Sequence, residues 1–352
     1  MMRASVRDAL SRIQSAFPRK EDLETLLSLS DPDETSYLHA TACAVRNTYC
    51  QERIAVRALI EISSVCKNSC NYCGLNRYNG EASRYTMSNN EVLKSGKLAA
   101  SQGFMTVVLQ SGENGRTTES IAQLIAQIKQ EFPIAVSLSL GEHPYEDYLA
   151  WKRAGADRYL LRIESTDEDF YRSLHTDRSL STRLECLAHL RRLGYQAGSG
   201  IMVGVPGQSI STIARDIQFF SENQFAMIGI GPFIPHPQTP LAKCPGGDPL
   251  LTLNTIAVTR IATKYPWMPA TTALGSLNRD YRMEGLMAGA NVIMPNFTPQ
   301  RYKSQYAIYP NKQSRAETPE SLEHLGKSAN LAIDYGRCDS LPPEWNTCTP
   351  IA

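Results

Sequence analysis

The sequence predicts an α/β fold, a complete (β/α)8 TIM barrel with helices before it and an extension after it, on three observations. Short β-rich runs recur through the middle of the chain, helix-length amphipathic stretches separate them, and polar residues collect at the C-terminal ends of the runs. Eight runs qualify, at 57–63, 105–110, 133–139, 157–163, 197–203, 225–230, 268–272 and 291–294. Helices are read between them at Asn89–Ser101, Thr118–Glu131, Pro144–Ala154, Leu180–Leu193, Ser209–Asn223 and Asn254–Lys264. A doubly wound open sheet has the same alternation and is the structural alternative, because spacing alone does not show closure.

Residues 1–56 read as a helical preface, with Val6, Ala9, Leu10, Ile13 and Phe17 at helical spacing and a break at Ser30-Asp31-Pro32-Asp33. Arg3, Arg7, Arg12 and Arg19 with several serines suggest an organellar presequence, but Asp8, Glu21, Asp22 and Glu24 favour an amphipathic capping helix. The barrel occupies 57–296, and 297–352 is an extension over its mouth, with a basic-aromatic segment (Arg301, Tyr302, Tyr306, Tyr309), a helix at about 317–332 and no further strand. Lys and Arg number 36 and Asp and Glu 35, so the net charge of +1 offers no general nucleic-acid surface. Without a run of apolar residues long enough to span a bilayer, no membrane partner is expected and the chain is read as cytoplasmic. Nine cysteines, an odd and mostly scattered set, point to a reducing compartment rather than a disulfide framework.

One cysteine cluster stands out. Cys66-Lys67-Asn68-Ser69-Cys70-Asn71-Tyr72-Cys73 follows the first strand in a CxxxCxxC spacing. Three thiolates can hold three irons of a cubane [4Fe-4S] cluster and leave the fourth open to a non-protein ligand. Zinc is the rival reading, but a structural zinc site needs four ligands, and the nearest histidine in sequence is His39, in the preface. Other strand ends carry Gln110-Ser111-Gly112-Glu113, Ser137 and Ser139, Arg162 and Glu164, and Thr271-Thr272. A spacing of two puts Ser137 with Ser139, and Arg162 with Glu164, on one face. Arg162 and Glu164 also admit a surface ion pair, the serines plain packing, and the Thr pair simple β-propensity.

The cysteine spacing at the end of a first barrel strand resembles the radical S-adenosylmethionine (SAM) superfamily. Longer stretches are similar to the HydE family of [FeFe]-hydrogenase maturases within it: Leu59-Ile60-Glu61 with Cys73-Gly74-Leu75, Val108–Glu113, Ser137–Glu142, Gly198–Gln208, Thr271–Gly275 and Met294–Pro299. The resemblance implies a barrel of the radical SAM type. It also implies one [4Fe-4S] cluster on Cys66, Cys70 and Cys73, whose open iron binds S-adenosyl-L-methionine, and a 5′-deoxyadenosyl radical on reduction. By the same resemblance Tyr72 supports the adenine, Glu164 takes the ammonium and Arg183 the carboxylate. Gln110, Ser111 and Ser139 line the cofactor cavity, and Gly112 lets backbone approach the methionine moiety. Arg57, Ser137, Arg162, Thr271, Thr272 and Tyr306 would then bind the substrate, an organometallic Fe(CO)2(CN)-cysteine unit on the way to the hydrogenase H-cluster. Other hydrogenase maturases, met transiently, and an electron donor are the implied partners.

Some relatives of that kind carry further cysteines near the C-terminal part of the barrel. Ser314–Leu325 has none here, and Cys338 and Cys348 are too few and too far apart, so a single cluster is expected. Cys43, Cys50, Cys186 and Cys244 read as single buried apolar residues, and the six histidines show no ligand spacing. The functional alternatives are a methylornithine-synthase-like or biotin-synthase-like radical enzyme and, from a different class, a non-catalytic iron-sulfur scaffold or electron carrier.

Overall fold

The computed structural model describes residues 2–113, 115–312 and 317–340. Its strands are β1 (Arg53–Val56), β2 (Ala58–Ser63), β3 (Thr106–Ser111), β4 (Ala135–Ser139), β5 (Arg158–Leu160), β6 (Gln196–Val203), β7 (Met227–Pro232), β8 (Val292–Ile293) and β9 (Ala332–Asp334). The preface is α1 (Ala4–Ser15), α2 (Lys20–Leu27) and α3 (Pro32–Cys50). The barrel helices are α4 (Asn89–Ser101), α5 (Thr118–Glu131), α6 (Tyr145–Arg153), α7 (Glu168–Leu174), α8 (Leu180–Arg192), α9 (Ile210–Asn223), α10 (Pro249–Thr263) and α11 (Arg282–Met287), and α12 (Gln300–Lys303) and α13 (Pro319–Ala329) follow. None of the described helices is long and apolar enough to cross a membrane.

Local chemistry sets these limits. Asp31 accepts from the backbone N–H groups of Asp33 and Glu34 and, with Pro32 in the first turn, starts α3. Ser88 and Glu91 form a capping box at α4, and Thr117, Asp167, Ser179, Ser209 and Asp248 cap α5, α7, α8, α9 and α10. α1 buries Val6, Ala9, Leu10 and Ile13, one face at helical period.

β2 to β7 form a parallel sheet in sequence order, and β8, β1 and β9 a second one. Bridges of Met227 to Trp267, Pro269 to Val292 and Leu59 to Asn296 carry the wall from β7 round to β8 and back to β2. The strand expected at 268–272 contributes only such bridges, since Pro266 and Pro269 supply no N–H to a ladder. The expected first strand, 57–63, is β2, and the stretch 1–56, expected to be helical, ends in a further strand, β1; the two are broken at Arg57, where the chain exchanges β8 and β9 as neighbours for β3. The period of two sends Ala58, Ile60 and Ile62 of β2 into the helix-facing core. It leaves Leu59 and Glu61 on the other face, toward the barrel interior.

The expectation of no strand after 297 is corrected. β9 pairs with β1, and its Asp334 meets Arg53 at 2.6 Å; three residues ending in a charge are too few to show a period of two. The C-terminal residues also serve both ends of the barrel. Residues around 300–312 cross the mouth, where the Ile308 carbonyl accepts from the Gly74 N–H at 2.9 Å. Residues 337–339 lie at the strand starts instead: the Arg337 carbonyl accepts from Thr106 and Arg158, and the Asp339 carbonyl from Trp267. Cys348 falls outside the described residues.

Candidate active site

The loop after β2 is fixed from four sides. Gly112 leads β3 past it so closely that a Cβ would stand 2.3 Å from the Val65 carbonyl oxygen and 2.9 Å from the Cys66 Cβ, so only glycine fits. That glycine therefore already serves the cysteine loop itself. The α7 end receives Asn71, whose N–H donates to the Leu174 carbonyl (3.0 Å) and whose amide donates to that of Ser173 (2.8 Å). The Arg84 guanidinium gathers the carbonyls of Ser64, Leu75 and Asn76 at 2.8–2.9 Å. Across the mouth, the Ile308 contact pins Gly74, beside Cys73.

Cys66, Cys70 and Cys73 are thereby held half-buried within electrostatic reach of one another. Burial, then the neighbouring thiolates, push Cys70 well up, and burial and Cys66 push Cys73 up to about 12. They do not surround one metal-ion position, for no group of three His, Cys, Asp or Glu side chains does so among the described residues. In a cubane each cysteine takes its own iron at a separate corner, and a cationic iron core relieves the repulsion of three thiolates. The donor set fits that group.

Tyr72 points its hydroxyl at His175 Nε2, 3.1 Å away. His175 Nδ1 lies 3.2 Å from the Tyr171 carbonyl and so carries the proton, leaving Nε2 to accept from Tyr72. Burial, then Arg183, drive His175 down to about 3, which keeps the ring neutral. The sequence reading left every histidine out of the site. His175 is no ligand, yet it fixes the aromatic residue between two of the cysteines.

A belt of buried charge surrounds the loop. Arg178 reaches Glu113, Glu142 (2.9 Å) and the side-chain amide oxygen of Asn68, Oδ1 (2.5 Å). Glu113 also accepts from the Glu142 N–H (2.8 Å) and the Asn68 amide (3.1 Å). Arg183 gives Nε to Glu142 at 2.5 Å and one NH group to the Arg162 carbonyl. Neither carboxylate nor Arg178 was a candidate from sequence, although the pairs Gly112-Glu113 and Gly141-Glu142 after two adjacent strands were a usable signal.

Glu164 and Arg162 do come together, with Nε 3.3 Å from Glu164 Oε1, but the strand expected over 157–163 ends at Leu160 and both residues lie beyond it, so a strand period of two does not place them. The pair is not aligned as a hydrogen bond, and Arg162 Nε and Nη2 are buried without a hydrogen-bond partner among the described residues. Glu164 Oε2 accepts from the Met202 N–H at 3.1 Å. Its backbone sits at φ 60°, left-handed, which costs a non-glycine residue about 1–2 kcal/mol.

The remaining candidates divide by height in the barrel. Gln110 and Ser139 are register neighbours at the mouth, with Ser111 just beyond, its hydroxyl on the Gly112 carbonyl; Ser137, beside Val108, is one step deeper. Thr271 sets its hydroxyl against Gly231, while the Thr272 carbonyl accepts from the Ser276 hydroxyl. Tyr306 is buried under the Lys312 ammonium, and burial with Glu61 and Cys73 nearby holds its phenol well above the ordinary value. Lys312 also pairs with the buried Glu61, which Asn296 contacts at 3.1 Å, a cluster that no spacing in the sequence announced. Arg57 is apart from all of these. It lies at the barrel floor against Met227 Sδ (3.0 Å), the Cys338 carbonyl (3.3 Å) and the Trp267 ring.

Comparison with known proteins adds three findings. The model of the Radical SAM superfamily matches residues 60–220. Over 307 residues the chain is 44% identical to the [FeFe] hydrogenase maturase subunit HydE of Thermotoga maritima, covering 87% of this chain and 88% of that protein. The crystal structure of methylornithine synthase (PylB) superposes with a TM-score of 0.82 at 26% identity, over 94% of this chain and 97% of that one.

Proposed function

Because the chain belongs to the radical SAM superfamily and, within it, to the HydE family of [FeFe]-hydrogenase maturases, we propose that it is a radical enzyme acting on a small organometallic Fe(CO)2(CN)-cysteine substrate during assembly of the H-cluster. Its site would be the cysteine loop with the barrel interior beneath it. The family uses a [4Fe-4S] cluster and S-adenosyl-L-methionine, which when bound supply reductive cleavage of the sulfonium and hence a 5′-deoxyadenosyl radical. Cys66, Cys70 and Cys73 would hold the cluster, Glu164 the ammonium and Arg183 the carboxylate. Tyr72, Gln110, Ser111, Gly112 and Ser139 would complete the cofactor cavity, and Ser137, Arg162, Thr271, Thr272 and Tyr306, with Arg57 at the floor, would line the substrate space. Substrate transfer from another maturase and an electron donor complete the reading.

The observation that carries the substrate class is Arg162, whose guanidinium has two buried nitrogens without a hydrogen bond among the described residues, although Nε stands 3.3 Å from Glu164 Oε1. A buried donor without a partner costs about 1–3 kcal/mol, so an anionic or cyanide-bearing guest repays it. The test is anaerobic reconstitution with iron and sulfide, then dithionite and SAM. 5′-Deoxyadenosine should form in the wild type and fall at least about a thousandfold, roughly 4 kcal/mol in barrier, when any one of Cys66, Cys70 or Cys73 becomes Ala. Cleavage that survives the triple substitution would remove the cluster assignment.

A further inference from the structure

We propose that Asp216, on α9 outside the site, is a positioning residue: it pins the turn after Glu164 and so holds the Glu164 carboxylate toward the ammonium of S-adenosylmethionine. The inference rests on the reading of Glu164 as the ammonium's partner and deepens it.

Glu164 needs support that its own sequence does not supply. Its left-handed backbone lets its N–H donate to the Gly200 carbonyl (3.1 Å) while its side chain turns back to the Met202 N–H on the same neighbouring strand. An ordinary L-residue leaves that conformation unless the chain on both sides is held. The strand side is held by β6. On the other side, Asp216 Oδ1 accepts from the Thr166 N–H (2.6 Å) and the Thr166 hydroxyl (2.7 Å), with the Ser165 hydroxyl at 3.5 Å. Ser165 in turn receives the Asp167 N–H at 3.1 Å, and Asp167 caps α7 and meets Arg215 at 2.6 Å.

The choice of residue supports the role. Asp216 is fully buried with Ile213 and Ile217 on the inner face of α9, and its Oδ2 has no hydrogen-bond partner among the described residues. An apolar side chain would fill that place without the desolvation of a carboxyl. Burial pushes the acid up to about 7, and the Thr166 bonds pull against that shift. What the carboxyl does, and leucine would not, is accept the two Thr166 donors that set the turn.

The test uses the reconstituted holoprotein and equilibrium binding of SAM. Asp216→Leu should weaken binding about tenfold with iron content and cluster absorbance unchanged. Asp216→Asn keeps the Oδ1 acceptor and should stay within about threefold of wild type. In a Glu164→Gln background, Asp216→Leu should add less than about twofold, because both changes remove one interaction. A loaded Asp216→Leu protein with wild-type affinity, or a loss that simply adds to that of Glu164→Gln, overturns the proposal. Should Asp216→Leu fail to fold, Thr166→Val removes one donor from the opposite side. A loss of about threefold would support the assignment, and unchanged affinity would end it. If Glu164→Gln alone binds SAM normally, the reading of Glu164 fails first, and that result is separable from the outcome for Asp216.

Discussion

The two ends of the barrel both bury arginines and finish them differently. At the floor, Arg158 has no exposed side-chain surface and spends its donors on the chain itself: the Arg337 carbonyl at 2.5 Å, Asp339 at 2.7 Å and the Gln196 amide oxygen at 3.1 Å. At the mouth, Arg178 and Arg183 are locked by Glu113 and Glu142, yet two nitrogens of Arg162 make no hydrogen bond among the described residues. Arg158 is thus closed off by protein, whereas Arg162 at the mouth is left incomplete, where the proposed function would place a ligand. Arg57 is intermediate. It sits among floor contacts with its Nε making no hydrogen bond among the described residues, and burial with Arg158 beside it pulls it down to about 9.

If that division is right, floor substitutions cost stability and mouth substitutions cost binding. Arg158→Met gives the largest expected stability change, a loss of about 2–3 kcal/mol, because Asp339 and the Arg337 carbonyl lose their buried donor. Urea unfolding would measure it, and SAM affinity should not move; a large affinity change would mean that the floor takes part in cofactor binding. Arg183→Lys tests the mouth. Lysine keeps a positive charge beside Glu142 but has no planar fork to hold Glu142 and reach a second carboxylate at once. SAM should bind about tenfold more weakly, about 1.4 kcal/mol, with the cluster spectrum intact. Wild-type affinity in that variant would take the carboxylate assignment away from Arg183.

The same division explains what the sequence revealed. The cysteine loop and the helices at Asn89–Ser101 and Thr118–Glu131 were legible because each follows from local spacing or capping. The exchange of neighbours at Arg57 was not, because it depends on β8 and β9, more than 200 residues away in sequence. Nor were the contacts of Glu113 with Arg178 or of Tyr72 with His175, which join separate loops at the mouth. The far side of the barrel was hidden for another reason. Residues 331–340 act partly through side-chain pairs that join residues far apart in sequence, such as Asp334 with Arg53 and Asp339 with Arg158, and partly through backbone carbonyls, and a carbonyl leaves no mark on residue type.

That last point makes the smallest prediction the most discriminating. Arg337 is the most conspicuous charge at the floor, paired with Asp157 at 2.9 Å and Asp339 at 3.1 Å, but its side chain is 37% exposed. Pairs open to water contribute about 1 kcal/mol or less and weaken with salt. Its carbonyl, by contrast, accepts from both Thr106 and Arg158. Arg337→Ala should therefore lower stability by no more than about 1 kcal/mol, with the difference shrinking as salt is raised, since the substitution leaves the carbonyl in place. A salt-insensitive loss of about 2 kcal/mol or more would show that side-chain charge, not the backbone, closes the floor.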